Sequence, residues 1–237
     1  MAAGADLSFV NLGITIDHMV KSFNIGSFSV AFYGLIIAIG MMCGILMAQA
    51  DGKRRGQDPE IYLDFAIYGI LFAILGARIY YVIFQWGYYK ENLTEIINLR
   101  KGGLAIYGGI IGGILTLYVF AKKKGLSFFS MADSVVLGLV TGQIIGRWGN
   151  FFNCEAFGGF TDGLFAMRIK RSIVSESMIS QELIDNLIVE NGVEYIQVHP
   201  TFLYESLWNV GVLLFMLWYR KRKKFDGEML LIYFTGY

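Results

Sequence analysis

The stretch Ser29–Ala50, SVAFYGLIIAIGMMCGILMAQA, decides the fold. It carries no charged side chain. As a helix it rises about 33 Å, enough to cross a hydrocarbon core about 30 Å thick. Lys53, Arg54 and Arg55 follow closely, the basic flank expected at the cytoplasmic end of a span. Working outward, Ile61–Trp86, Leu104–Ala121, Phe128–Gly146 and Thr201–Tyr219 have the same length and apolar character. A further apolar segment opens at Glu228 and the sequence stops at Tyr237, giving only about 15 Å of helix. The chain therefore reads as an all-α polytopic membrane protein, a single membrane domain over residues 1–237, with five complete spans plus half of a sixth.

Composition agrees. Of the 237 residues 55% are hydrophobic and 16% charged, against about 45–50% and about 25% in an average soluble domain. So little charge cannot cover a globule of this size, which excludes a soluble enzyme. A net charge of +1 gives a nucleic-acid partner no support. Cys43 and Cys154 form neither a disulfide framework nor a metal-ligand spacing, and His18 and His199 are the only imidazoles, so a metal site is not expected. The bias of 29 Gly against 2 Pro suits closely packed transmembrane helices. The N-terminus lacks the features of a cleaved signal peptide, and no internal repeat is evident.

Orientation follows from the basic residues of short loops. Lys53–Arg55, Lys122–Lys124 and Arg220–Lys224 together hold 11 of the 20 Lys and Arg, so these loops are expected in the cytoplasm. The N-terminus then lies outside, as does residues 147–200, an extracytoplasmic head segment inserted between spans four and five. Within this small mixed α/β segment Gly163–Arg171 alternates as a strand does, and Ser177–Val189 is apolar at near-helical spacing. Small residues one turn apart, such as Gly108/Gly112 and Gly138/Gly142/Gly146, are expected to let helices pack closely.

Ionisable groups at membrane depth are costly and mark candidate sites. Here they are Asp64, Arg78, Asp133, Arg147 and Glu205. Asp64 and Asp133 sit near the cytoplasmic ends of spans, where snorkelling or a helix–helix contact accounts for them. Arg78, Arg147 and Glu205 lie toward the opposite ends, near Asn150, Asn153, Glu155 and His199. One reading is a structural network of arginines with Glu155 and Glu205. The other is a phospholipid headgroup site, since guanidinium matches phosphate oxygens bidentately. Tyr33, Tyr107 and Tyr204 belong to the same layer, where tyrosine commonly anchors the interface.

The run Gly146-Arg147-Trp148-Gly149-Asn150-Phe151-Phe152-Asn153-Cys154-Glu155-Ala156-Phe157-Gly158 resembles the signature G-R-x-G-N-F-x-N-x-E-x-x-G of bacterial prolipoprotein diacylglyceryl transferases, with every fixed position matched. Tyr33-Gly34, Gly76-Ala77-Arg78-Ile79, Gly102-Gly103, Gly108-Gly109 and His199-Pro200 followed by Leu203-Tyr204-Glu205 continue the resemblance in order. The resemblance implies a seven-helix enzyme of the bacterial inner membrane, with its N-terminus outside and its active site facing the outer leaflet. Such an enzyme moves the diacylglyceryl group of phosphatidylglycerol to the lipobox cysteine of a prolipoprotein signal peptide, without a cofactor. It also implies catalytic roles for Arg147, Tyr107, Asn150 and Glu155. Arg147 and Gly158 of the signature and Tyr33 of the first span are the substrate-binding residues it implies; Arg78, Asn153, His199 and Glu205 join them from the charged layer, and membrane lipids are the other partners. Arg147, helped by Arg78 and the Asn150 amide, would stabilise charge on the leaving phosphate and favour the substrate thiolate.

Two departures stand out. Tyr107 occupies the place before the third-span glycine pair where family members carry a histidine, and a tyrosine is a poor base at neutral pH but a good hydrogen-bond donor. Tyr237 matches a sixth-span tyrosine that a catalytic arginine normally follows one turn later, so a chain ending there is expected to be inactive alone. Two other classes compete. A lipid-binding or transport protein would share the charged cluster without modifying a peptide. A hydrolase built on Cys154 with His199 as base would be lost on Cys154→Ala.

Overall fold

The computed structural model describes residues 5–99 and 102–237. In chain order the strands and helices are β1 (Leu7–Phe9), β2 (Ile14–Ile16), β3 (Ser22–Ile25), β4 (Phe28–Ala31), α1 (Phe32–Arg54), α2 (Glu60–Phe84), α3 (Trp86–Tyr89) and α4 (Ile106–Lys123). There follow α5 (Phe128–Asn153), β5 (Met167–Lys170), α6 (Gln181–Asp185), β6 (Ile188–Glu190), β7 (Val193–Val198), α7 (Thr201–Tyr219) and α8 (Glu228–Gly236). The protein is mostly helical, and α1, α2, α4, α5 and α7 are long and apolar enough to cross a membrane. All five lie where the apolar runs put them.

Two boundaries and the strands differ from expectation. The fourth span continues past Gly146 to Asn153, so most of the signature run is helix. The strand expected over Gly163–Arg171 is confined to Met167–Lys170. Ser177–Val189, read as helical, breaks into a short 3-10 turn, the five-residue α6 and the start of β6. Strands also come from the N-terminal region, where none was expected. They are three or four residues long, too short to show an alternation.

The chain divides into two compact units, one running to Cys43 and taking in Leu139–Phe215, the other comprising Gly44–Gly138 and Met216–Tyr237. In the first unit an antiparallel sheet has the order β2-β1-β5-β7-β6. Leu7, Ile169 and Ile196 face one another across three strands, and Ser8, Arg168 and Gln197 form the next row. Strand periodicity puts these rows on opposite faces. The apolar face builds a core with Met167, Val198, Cys154 and Phe202, which joins the sheet to the end of α5 and the start of α7. The β3–β4 hairpin leads into α1, held where Phe32 N–H donates to the Lys21 carbonyl at 2.9 Å. A Cβ on Gly40 would lie 3.1 Å from the Gly142 carbonyl oxygen, so α1 and α5 cross in close backbone contact.

In the second unit α2 and α4 pack on the same principle. A Cβ on Gly76 would collide with the Gly108 carbonyl, and one on Gly112 with the Phe72 carbonyl. On α1, a Cβ at Gly44 would stand 2.6 Å from the Gly138 carbonyl oxygen of α5. The glycine stripes therefore serve packing, as their spacing suggests. Asp51 is buried, accepts from the Ser134 hydroxyl at 2.8 Å and pairs with Arg54 at 2.9 Å and Arg220 at 3.2 Å. Asp133, 1% exposed, accepts the main-chain N–H groups of Gly227, Met229 and Leu230 and the Lys223 ammonium. Its carboxylate satisfies N–H groups that α8 would otherwise leave orphaned. Asp64 reaches Lys124 at 3.1 Å.

Candidate active site

The first unit assembles the signature run from the way α5 ends. Cys154 adopts φ 53°, its N–H donates to the Phe151 carbonyl, and Glu155 N–H donates to the Asn150 carbonyl. This pair of bonds is a Schellman stop. The same stop closes α1 at Gly56 and α4 at Gly125, where glycine takes positive φ freely. At the end of α5 a cysteine and then Ala156, at φ 51°, accept that conformation. The reversal folds Glu155 back on the last turn. Asn150 Nδ2 donates to Oε1 of Glu155 at 2.9 Å, and Asn153 Nδ2 to Oε2 at 2.6 Å. Both amides are thereby oriented by one carboxylate.

One turn before, Arg147 forms an ion pair with Glu205 of α7. The Arg147 side chain is 27% exposed, and among the described residues Glu205 is its partner, leaving other guanidinium N–H groups for a ligand. Trp148, at a variable position of the signature, fixes the two helices beside this pair. Its indole N–H donates to the Ser206 hydroxyl at 3.2 Å, and Ser206 donates to the Ile144 carbonyl at 3.0 Å. Phe202 packs on both Trp148 and Phe151. Neither Trp148 nor Ser206 was singled out from sequence, although a polar residue next to Glu205 within a span was a readable signal.

The chain entering α7 closes on the same turn. Gly158 N–H donates to the His199 carbonyl, and His199 N–H to the Gly159 carbonyl, both at 3.0 Å. A Cβ on Gly158 would lie 2.9 Å from that of His199, so any larger residue would separate the strands here. His199 Nδ1 lies 3.4 Å from the Tyr204 hydroxyl, and Thr201 donates its hydroxyl to the Ala156 carbonyl. The Tyr33 ring lies over Gly149, whose Cβ would stand 3.1 Å from Tyr33 Cδ2. Thus Tyr33, Arg147, Asn150, Asn153, Glu155, Gly158, His199 and Glu205 all belong to one unit, at the start of α1, the end of α5 and the start of α7.

Three sequence candidates fare differently. Cys154 is 3% exposed within the sheet core, and burial pushes its thiol up from the ordinary range. A buried neutral thiol is a packing residue and helix stop, which removes the basis for a Cys154 hydrolase. Arg78, expected to meet a phosphate, belongs to the second unit and directs all five guanidinium N–H groups at main-chain carbonyls. These bonds occupy the donors that the sequence reading assigned to a headgroup. Tyr107 is also in the second unit, exposed in the first turn of α4.

Five membrane-length helices, with a guanidinium, carboxylates and amides gathered where three of them begin or end, define a multi-pass membrane protein with a charged site at its span termini. Comparison with known sequences makes this specific. The family model described as prolipoprotein diacylglyceryl transferase matches residues 21–237. The phosphatidylglycerol–prolipoprotein diacylglyceryl transferase of Clostridioides difficile is 41% identical over 216 residues, which cover 91% of this chain and 77% of the relative. Those of Bacillus licheniformis and Listeria welshimeri are each 43% identical, covering 91% and 90% of this chain and 76% and 72% of the relatives. The chain belongs to the prolipoprotein diacylglyceryl transferase family.

Proposed function

We propose that this protein transfers the diacylglyceryl group of phosphatidylglycerol to the lipobox cysteine of prolipoprotein signal peptides, the first step of lipoprotein maturation. The observation that carries the reading is the pair of Glu205 with Arg147 of the signature run, a partly open guanidinium with donors to spare. In the reaction the substrate thiol gives up its proton, which ends on the released glycerol phosphate or in water, and its sulfur attacks a glyceryl carbon. A C–S bond forms, the C–O bond to phosphate breaks, and glycerol phosphate leaves with the electron pair. Negative charge therefore grows on phosphate oxygens, and Arg147 with the amide donors of Asn150 and Asn153 would stabilise it in a water-poor site. Glu155 orients those amides, and Glu205 orients the guanidinium. Tyr33, His199 and Gly158 are read as further substrate-binding residues of the same unit, and Tyr107 as a hydroxyl donor in the reaction. The attacking thiol comes from the substrate, so neither Cys43 nor Cys154 takes part.

The proposed setting is the bacterial inner membrane with the N-terminus outside, in a protein of seven spans. The clustering of Lys and Arg in the loops after α1, α4 and α7 supports this orientation. In that orientation residues 147–200, an extracytoplasmic head, the end of α5 and the start of α7 face the outer leaflet. The reading is tested with a lipobox peptide and phosphatidylglycerol in membranes expressing the native reading frame. Arg147→Ala should abolish the lipid adduct and Cys154→Ala should retain it. Retained transfer by Arg147→Ala, or loss by a folded Cys154→Ala, would overturn the assignment.

A further inference from the structure

Five main-chain carbonyls between α2 and α4 converge on one side chain. Arg78 lies on α2 and is 7% exposed. Its Nε donates to the Ile96 carbonyl at 2.7 Å, and Nη1 to those of Gly102 and Gly103, each at 2.8 Å. Nη2 donates to the Glu95 carbonyl at 2.6 Å and the Asn98 carbonyl at 3.2 Å. The Tyr89 ring covers the guanidinium 5.2 Å from its carbon. A planar fork of five donors is the side chain able to gather that many carbonyls at once.

This cluster runs directly into α4. Gly102 and Gly103, at φ 80° and 79°, turn two successive carbonyls onto Nη1. A Cβ at Gly103 would lie 2.5 Å from Nη1 and 2.8 Å from the Tyr81 ring. Ala105 N–H then donates at 3.1 Å to the carbonyl of Ala77, the neighbour of Arg78. Helix α4 starts at the next residue, and Tyr107 is its second. Beyond Tyr107, Gly108 abuts the Gly76 carbonyl and the Tyr80 side chain. The backbone of Tyr107 is thus held from α2 on both sides, by the Arg78-bound turn before it and the Gly108 contact after it. Its ring is 67% exposed and free to meet a substrate.

We propose that Arg78 is a positioning residue for the transfer reaction: it gathers the carbonyls of Glu95, Ile96 and Asn98 with those of the Gly102–Gly103 turn, and through that turn sets the place of Tyr107. The proposal rests on the reading of Tyr107 as a participant in transfer. Arg78→Lys tests it, since an ammonium keeps the charge but has three donors and no fork. Main-chain hydrogen exchange over 95–109 should rise about tenfold or more, with 201–219 unchanged. The kcat for lipobox peptide should fall about tenfold, with KM for phosphatidylglycerol nearly constant. In a Tyr107→Phe background the same Arg78→Lys change should have little further effect on kcat, because both act at one place. Gly103→Ala, which keeps Arg78 but obstructs the turn, should reproduce the kcat loss and covers the case in which Arg78→Lys fails to fold. A rise in KM at constant kcat would mean that Arg78 meets the headgroup, and additive effects in the double variant that it does not act through Tyr107. Either result, or unchanged exchange over 95–109, overturns the proposal. No adduct from the unsubstituted protein would instead sink the functional reading, and the exchange measurement would still decide whether Arg78 holds the turn.

Discussion

Asp133→Asn removes one charge from a group that is 1% exposed, and its cost can be worked from the four donors around it. Oδ1 accepts from Met229 N–H at 3.0 Å and Leu230 N–H at 3.2 Å, while Oδ2 accepts from Gly227 N–H at 3.0 Å and Lys223 Nζ at 2.8 Å. An asparagine whose carbonyl takes the Oδ1 place keeps the first two bonds. Its NH2 group then faces the other two donors. One orphaned buried N–H costs about 1–3 kcal/mol. Breaking a buried ion pair costs about 3–5 kcal/mol, reduced here because Lys223 also reaches Asp226 at 2.8 Å. A net loss of about 3 kcal/mol is expected in the anchoring of α8, or roughly a hundredfold rise in exchange of the Met229 to Leu231 amides. Hydrogen exchange with mass spectrometry in detergent reads this directly, with the α7 amides as internal reference. Asp133→Asn combined with Lys223→Met should recover the ion-pair share. Exchange within threefold of the unsubstituted protein would refute the idea that a charged cap holds α8.

Other expectations are more local. Gly44→Ala places a methyl 2.6 Å from the Gly138 carbonyl oxygen and should cost about 1–3 kcal/mol by forcing α1 from α5, seen as a lower melting temperature in detergent. Cys154, buried and with its thiol pushed up by burial, should react with maleimide far more slowly than a free thiol at pH 8. Its rate should climb as pH rises toward the elevated pKa, the thiolate being the reactive form, and a Cys43→Ser background isolates that signal. Glu155→Gln offers one acceptor to the two amides that the carboxylate now holds at 2.9 and 2.6 Å, so kcat should drop about tenfold while the melting temperature stays nearly constant.

Much of the fold was legible because membrane spans are written in composition: α1 carries no charge between Phe32 and Ala50, and its basic flank follows within a turn. The glycines that let α2 meet α4 were legible for the same reason, as spacing along a single helix. The sheet was not. Strands β1 and β5 pair Leu7 with Ile169 across most of the chain, and a three-residue strand acquires its partner only in the folded state. Within the site, the signature run announced Arg147, Asn150 and Glu155, but nothing in it told that Cys154 would act as a left-handed helix stop. Arg78 is the sharper lesson. An arginine at membrane depth reads the same whether it awaits a phosphate or is already surrounded by carbonyls. The difference lies in the turn that Gly102 and Gly103 make, far along the sequence from the helix that carries the charge.

The central claim is that this protein joins a lipid-derived diacylglyceryl group to a cysteine thiol. Membranes expressing the native reading frame, given a lipobox peptide and phosphatidylglycerol labelled in both acyl chains and in the terminal glycerol, test it by mass spectrometry. A peptide carrying both labelled chains on its cysteine is expected, with labelled glycerol phosphate released in equal amount. An unmodified peptide, or glycerol phosphate released without a peptide adduct, would contradict it.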